Sequence, residues 1–145
     1  TVERLADIDN IVAIKDATGS AVRGEQLIRA VGDRMVVLSG DDSTALELMQ
    51  FGGKGNISVT ANVAPKAMSE TFSAGLRGDF DAAHKVHDVV KHLHRDLFIE
   101  SSPIPVKYAL HKMGMIDTGI RLPLVWLAEK HHATIDEALI RANLL

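Results

Sequence analysis

Asn10-Ile-Val-Ala-Ile-Lys15-Asp-Ala-Thr-Gly19 is an apolar run of strand length that carries one lysine near its end and breaks into a Thr-Gly turn. Near-continuous apolar runs of this kind are buried parallel strands, so the stretch is predicted to deliver Lys15 at the C-terminal edge of a parallel sheet. Alternate side chains of a strand share a face: Ile11, Ala13 and Lys15 point one way, and Val12, Ile14 and Asp16 the other. If the lysine's face is enclosed, desolvation disfavours the ammonium and leaves a neutral amine able to attack a carbonyl, the chemistry of a Schiff-base lysine. The plainer alternative buries only the stem and lets the ammonium reach water or a carboxylate such as Asp41 or Asp42. Taken alone the pattern favours that alternative, because most strand-end lysines catalyse nothing.

Working outward, Thr1 to Ala6 reads as the last turns of a helix that begins upstream, and Asp7 to Asn10 as the turn into the first strand. Arg23 to Val31 sets Leu27, Ile28 and Val31 on one face of a short amphipathic helix closed by Gly32-Asp33. Met35 to Ser39 is a second strand. It ends in Gly40-Asp41-Asp42-Ser43, where Asp42 or Ser43 is predicted to cap a helix carrying Leu46 and Met49. Gly55 to Val63 alternates as a third strand, with Ile57, Val59 and Ala61 opposite Ser58, Thr60 and Asn62, and Pro65 opens a helix that stops around Gly75. Strand and helix thus repeat three times at about 20 to 25 residues per unit, which means a parallel sheet with right-handed crossovers. Lys15, Gly40-Asp41-Asp42 and Asn62 all fall at predicted C-terminal strand ends, where folds of this class place their functional groups.

The second half changes character. Phe80 to Phe98, Ile104 to Met113 and Leu124 to Asn143 read as helices, the last interrupted near His131-His132-Ala133-Thr134. The expected class is α/β: residues 1–78 form about three βα units and residues 79–145 an all-helical appendage. Three strands do not close a barrel, which takes roughly 250 residues, and would leave open edges and an uncovered apolar face. The chain is therefore expected to be a piece of a longer protein whose missing strands precede Thr1.

Composition narrows the function. Net charge is -3 with basic and acidic residues intermixed, which offers no face to a polyanion and argues against nucleic acid as a partner. The absence of cysteine excludes disulfides, thiolate metal sites and cysteine nucleophiles. No apolar run reaches membrane-spanning length and no secretory pattern is present, so a cytoplasmic protein without a membrane partner is expected. His84, His87, His92 and His94 invite a metal, but His92 and His94 lie about 200° apart around a helix and no carboxylate completes a ligand set. We expect solvated or interface histidines, and no metal. Asp41 and Asp42 are expected to serve the helix N-terminus rather than acid/base or magnesium chemistry. Gly52-Gly53-Lys54-Gly55 lacks the spacing and hydroxyl residue of a phosphate-binding loop and reads as a turn. Lys107, the only rival to Lys15, stands at a helix start with no apolar strand to desolvate it.

The segments Asn10 to Gly19, Leu38-Ser-Gly-Asp-Asp42, Gly55-Asn-Ile-Ser-Val-Thr-Ala-Asn62, Pro103-Ile-Pro-Val-Lys107 and Arg121-Leu-Pro123, in that order, closely resemble the C-terminal half of the dihydrodipicolinate synthase family. The resemblance runs over nearly the whole chain. It implies the last βα units of a (β/α)8 TIM barrel plus its C-terminal helices, a homotetrameric enzyme, and no cofactor. It implies that Lys15 forms the Schiff base with pyruvate and that Gly40 and Ile57 line the pyruvate pocket, with L-aspartate-4-semialdehyde as second substrate on the way to diaminopimelate and lysine. The family's tyrosine relay, carboxylate-binding threonines and substrate arginine have no counterpart here; the only tyrosine, Tyr108, belongs to the helical appendage. These 145 residues alone are therefore expected to be inactive. Other pyruvate-dependent aldolases, of the N-acetylneuraminate lyase or keto-deoxy-sugar type, share the lysine strand, and a non-catalytic half-barrel is the remaining alternative.

Overall fold

The computed structural model describes residues 1–145. Its regular elements run α1 (Val2–Leu5), β1 (Ala13–Asp16), α2 (Ala21–Val31), β2 (Val36–Ser39), α3 (Ala45–Gln50), α4 (Pro65–Leu76), α5 (Phe80–Asp96), α6 (Ile104–Lys112) and α7 (His132–Arg141). The chain divides into two compact units, one of Thr1–Ser58 with Thr71–His84 and one of Val59–Glu70 with Lys85–Leu145.

The first unit is built on a parallel pair. β1 runs beside β2 in the register Ala13↔Val36, Ile14↔Val37, Lys15↔Leu38 and Asp16↔Ser39. The crossover helix α2 starts where Ser20 Oγ accepts the backbone N–H of Arg23 at 3.2 Å, and it ends at Gly32, whose φ of +55° with ψ of -137° favours glycine. Its inward stripe places Leu27 and Val31 against Met35, Val37 and Leu48, with Ile14 and Ile11 packed alongside. Gly24 lies on the same stripe with no room for a Cβ beside Leu48. A second cluster joins Leu46, Ala74 and Ala83.

The predicted third strand does not form. Gly55 and Ile57 bond to the end of β2, through Ser39 N–H to Gly55 O at 2.9 Å and Ile57 N–H to Ser39 O at 2.8 Å, which makes a single bridge at Asn56. Beyond it the chain coils into a 3-10 turn at Thr60–Asn62. The period-2 pattern misled because its polar members serve the turn: Asn62 Nδ2 donates to Val59 O at 2.9 Å, a local bond that competes with a ladder. Asn62 therefore stands in a turn of the second unit and at no strand end.

The second unit is helical. Val90, Leu93 and Leu97 of α5 and its continuation, with Ile135 and Leu139 of α7, are fully buried, as is Val63. Tyr108 of α6 stacks on the His132 ring at 4.3 Å between centroids. The helix expected from Leu124 starts later, since residues 124–128 are irregular, Glu129–His131 form a 3-10 turn and α7 begins at His132. His132 Nε2–H donates to Leu127 O at 3.0 Å, which ties the irregular run to the helix start.

Candidate active site

Every strand end in the first unit faces one edge of the sheet. Lys15 is the third residue of β1, Gly40 follows β2 directly, and Ile57 follows the bridge that extends the pair. Gly40 N–H donates to Asp16 O at 2.8 Å, and Ile57 N–H to Ser39 O at 2.8 Å, so the three candidate residues are fixed by one continuous hydrogen-bond line. A parallel sheet produces this arrangement because all its strands end on the same side.

The faces of β1 are unequal. Ile14 turns into the Leu27–Val37 cluster, whereas Ala13 and Lys15 are exposed, as is Val36 beside Ala13 on β2. Lys15 thus lies on an uncovered face, and these residues by themselves do not build the dry surroundings that activate an amine. Ile57 is likewise 52% exposed. Nor does Lys15 pair with Asp41 or Asp42, whose carboxylates serve other groups.

Asp41 makes the turn that follows β2. Its Oδ1 accepts from Ser43 N–H at 3.0 Å, Ser43 Oγ at 2.7 Å, Thr44 N–H at 3.1 Å and Thr44 Oγ1 at 3.3 Å. Partial burial raises its pKa, but the hydrogen bonds from Ser43 and Thr44 outweigh it and hold the carboxyl below the ordinary aspartate value. The N-cap of α3 is therefore Thr44, which makes no side-chain cap bond, rather than the expected Asp42 or Ser43, and Asp41 closes the turn just before it. Asp42 is buried, at 3% exposure, and its Oδ1 accepts from Asn56 Nδ2 at 2.6 Å. Ser39 Oγ donates to Asp41 O at 2.8 Å and accepts Asp41 N–H at 3.0 Å. Ser39, Asp42 and Asn56 lock the end of β2 to the segment that carries Ile57. Sequence reasoning missed Asn56; the signal was a carboxamide one residue into the segment opposite a pair of aspartates.

The histidines differ from expectation in one respect. His94 is buried, at 4% exposure, with Nδ1 2.8 Å from Thr60 Oγ1 and its ring 4.8 Å from that of His87, so it is a core residue of the helical unit and not a solvated one. Tyr108 is also structural. Its hydroxyl donates to Asp136 Oδ1 at 3.1 Å while Lys112 Nζ holds Asp136 Oδ2 at 3.0 Å, and burial, with the hydrogen bond to Asp136 and that residue's charge, pushes its pKa up to about 12. No helix is long and apolar enough to cross a membrane.

Parallel strands joined by a crossover helix, with a lysine at their shared C-terminal edge, define the α/β class in which strand-end groups carry the chemistry. Within that class the assignment is specific: residues 1–142 match the dihydrodipicolinate synthetase family, and the chain belongs to it. A 4-hydroxy-tetrahydrodipicolinate synthase of Psychrobacter arcticus is 86% identical over all 145 residues, which cover 48% of that protein. A synthase of the same name from Pseudomonas aeruginosa is 54% identical, with 50% of it covered. Among solved structures, a chloride-inhibited dihydrodipicolinate synthase from Acinetobacter baumannii in complex with pyruvate superposes with a TM-score of 0.96 at 55% identity, over 99% of this chain and 49% of that one. The chain spans about half the length of the curated relatives it matches.

Proposed function

We propose that the protein containing this chain condenses pyruvate with L-aspartate-4-semialdehyde to 4-hydroxy-tetrahydrodipicolinate, on the route to diaminopimelate and lysine, through a Schiff base on Lys15. The observation that carries the reading is a lysine at the C-terminal edge of a parallel strand pair in a chain 86% identical throughout to a synthase of that name. The chain contributes the last βα units and the C-terminal helices of a TIM barrel. The tyrosine relay, the groups that hold the pyruvate carboxylate and the arginine for the second substrate come from the other half, and the working enzyme is a homo-oligomer.

The chemistry follows from the amine. Lys15 Nζ attacks the ketone carbon of pyruvate, and loss of water gives an imine whose protonated nitrogen acidifies the methyl group. A base removes a methyl proton to give the enamine, whose carbon attacks the aldehyde of the semialdehyde. The amino group of that substrate then displaces Lys15 from the imine carbon, which closes the ring and frees the lysine. One water leaves over the cycle. Gly40 and Ile57 line the pyruvate side of the pocket, Ile57 through its backbone and apolar side chain. An imine-forming amine needs enclosure, which here comes only when the exposed face of Ala13, Lys15 and Val36 is covered.

The test is turnover by the full-length protein with pyruvate and L-aspartate-4-semialdehyde, against N-acetylneuraminate and keto-deoxy-sugar acids as rival substrates. Condensation with the semialdehyde that Lys15→Ala abolishes is the expected result. Cleavage of a sugar acid without that condensation assigns the chain to the other aldolases, and full activity in Lys15→Ala removes the lysine from the mechanism.

A further inference from the structure

Gly40 is a glycine for a reason its backbone does not supply. It is absent from the glycines that hold a positive φ, so an L-residue would adopt its conformation without strain. What forbids a side chain is space. A Cβ at Gly40 would fall 2.5 Å from Lys15 Cε, 3.1 Å from Lys15 Cγ and 2.7 Å from Ala17 Cβ. Carbon atoms in contact sit about 3.5–4.0 Å apart. Two carbons of the lysine stem therefore pass directly over the missing methyl. Lys15 is exposed, and the carboxylates of Asp41 and Asp42 serve Thr44 and Asn56.

We infer that Gly40 is a positioning residue for Lys15: the bare Cα at the end of β2 is the track along which the lysine stem lies, and it fixes where the amine stands. Leu38 is the partner of Lys15 in the register, and Gly40, two residues on, lies under the lysine's Cγ and Cε. The inference deepens the Schiff-base reading and rests on it for its catalytic consequence, although the steric relation stands apart from any chemistry. An added methyl cannot be absorbed locally. Lys15 Cε can swing away, but Ala17 Cβ is fixed to a backbone tied to Gly40 through the Gly40 N–H to Asp16 O bond of 2.8 Å. The stem is then driven off its line by an ångström or more, and misplacement of a reacting group by about 1 Å costs roughly 100-fold in rate.

The experiment uses the full-length protein as wild type, Gly40→Ala, Lys15→Ala and the double variant. Two readouts are taken: the rate of reductive trapping with pyruvate and borohydride, mapped to Lys15, and the melting temperature. Gly40→Ala is expected to trap about 100-fold more slowly than wild type, with kcat falling more than KM rises. Its melting temperature is expected to drop, and the drop to be largely relieved when Lys15→Ala removes the stem that the methyl strikes. Trapping at the wild-type rate in Gly40→Ala overturns the inference. So does a melting penalty equal with and without the lysine stem, which would place the collision on Ala17 alone. If Gly40→Ala does not fold, recovery of folding in the double variant supports the inference and failure there overturns it. Absence of trapping in the wild type sinks the Schiff-base reading alone, and the melting comparison still decides what Gly40 serves.

Discussion

The two units reach stability by different means. In the helical unit the fully buried side chains are large: Leu93, Leu97, Ile135 and Leu139 are each at 0% exposure. In the strand-bearing unit they are mostly small, with Ala45 and Ala83 at 0% and Ser39 at 1%, while Val12, Val36 and Ile57 stand open at 66%, 41% and 52%. The helical unit also leaves apolar side chains open, such as Met115 at 62% and Leu122 at 86%, but none on a strand. The strand-bearing unit presents Val36 and the candidate Lys15 on an exposed sheet face. Covering that face with a further segment would remove its open apolar side chains from water. Both units leave large apolar side chains open, and the candidate chemistry belongs to the one that leaves them beside a strand pair.

That contrast can be broken by substitution. Leu139→Ala removes a side chain from a closed core and is expected to cost about 2–5 kcal/mol, read by denaturant unfolding in either the chain alone or the full-length protein. A loss below about 1 kcal/mol would mean that the helical core is not closed. Asn56→Ala withdraws a donor from the buried Asp42 carboxylate at 2.6 Å, with an expected cost of about 1–3 kcal/mol; Asp42→Asn in the same background should recover part of it, because it removes the buried charge that the Asn56 donor served. Val36→Ser is expected to change the chain alone by no more than about 0.5 kcal/mol, yet to destabilise the full-length protein clearly. Equal effects in the two settings would show that the sheet face stays open in the complete molecule.

The smallest effects concern titration. Asp41 has its folded pKa depressed, so its contribution is present above the unfolded aspartate value of about 3.9 and is lost as pH falls through the lower folded value. The melting-temperature gap between wild type and Asp41→Asn should therefore be constant at neutral pH and vanish in strong acid. Tyr108 shifts the other way. Its hydroxyl holds its proton up to about pH 12, so its contribution is complete below about pH 10, the unfolded tyrosine value, and fades between those two limits. A difference spectrum of tyrosinate between wild type and Tyr108→Phe that rose near pH 10 would contradict the buried hydrogen bond to Asp136.

How much of this was legible in the sequence differs by region. The parallel pair was, because Ile11 to Ile14 and Val36 to Leu38 are apolar runs too short for helices and are bounded by turns. The helices from Arg23, Lys66, Phe80 and Ile104 were legible from their spacing, to within a few residues at each end. The third strand was not, since Ser58, Thr60 and Asn62 look like one face of a ladder and are in fact spent on a turn and a buried histidine contact. The expected cap at Asp42 or Ser43 failed because the chain first turns at Asp41, whose carboxylate takes Ser43 and Thr44, and the helix begins only after Thr44. Lys15 and Gly40 were readable as strand-end positions, whereas Ile57 was expected inside the third strand and entered the site only through the family resemblance. The reason for Gly40 was not, because the atom that excludes its side chain belongs to a residue 25 positions earlier in the chain, across the sheet.

The central claim is that the exposed lysine of the strand-bearing unit becomes an imine-forming amine once its face is covered. The direct measurement is incubation of the full-length protein with pyruvate and borohydride, followed by peptide mapping, beside the 145-residue chain treated in the same way. The account predicts a reduced pyruvate adduct on Lys15 in the full-length protein and none on the chain alone. A full-length protein that turns pyruvate over while Lys15 stays unmodified would contradict it.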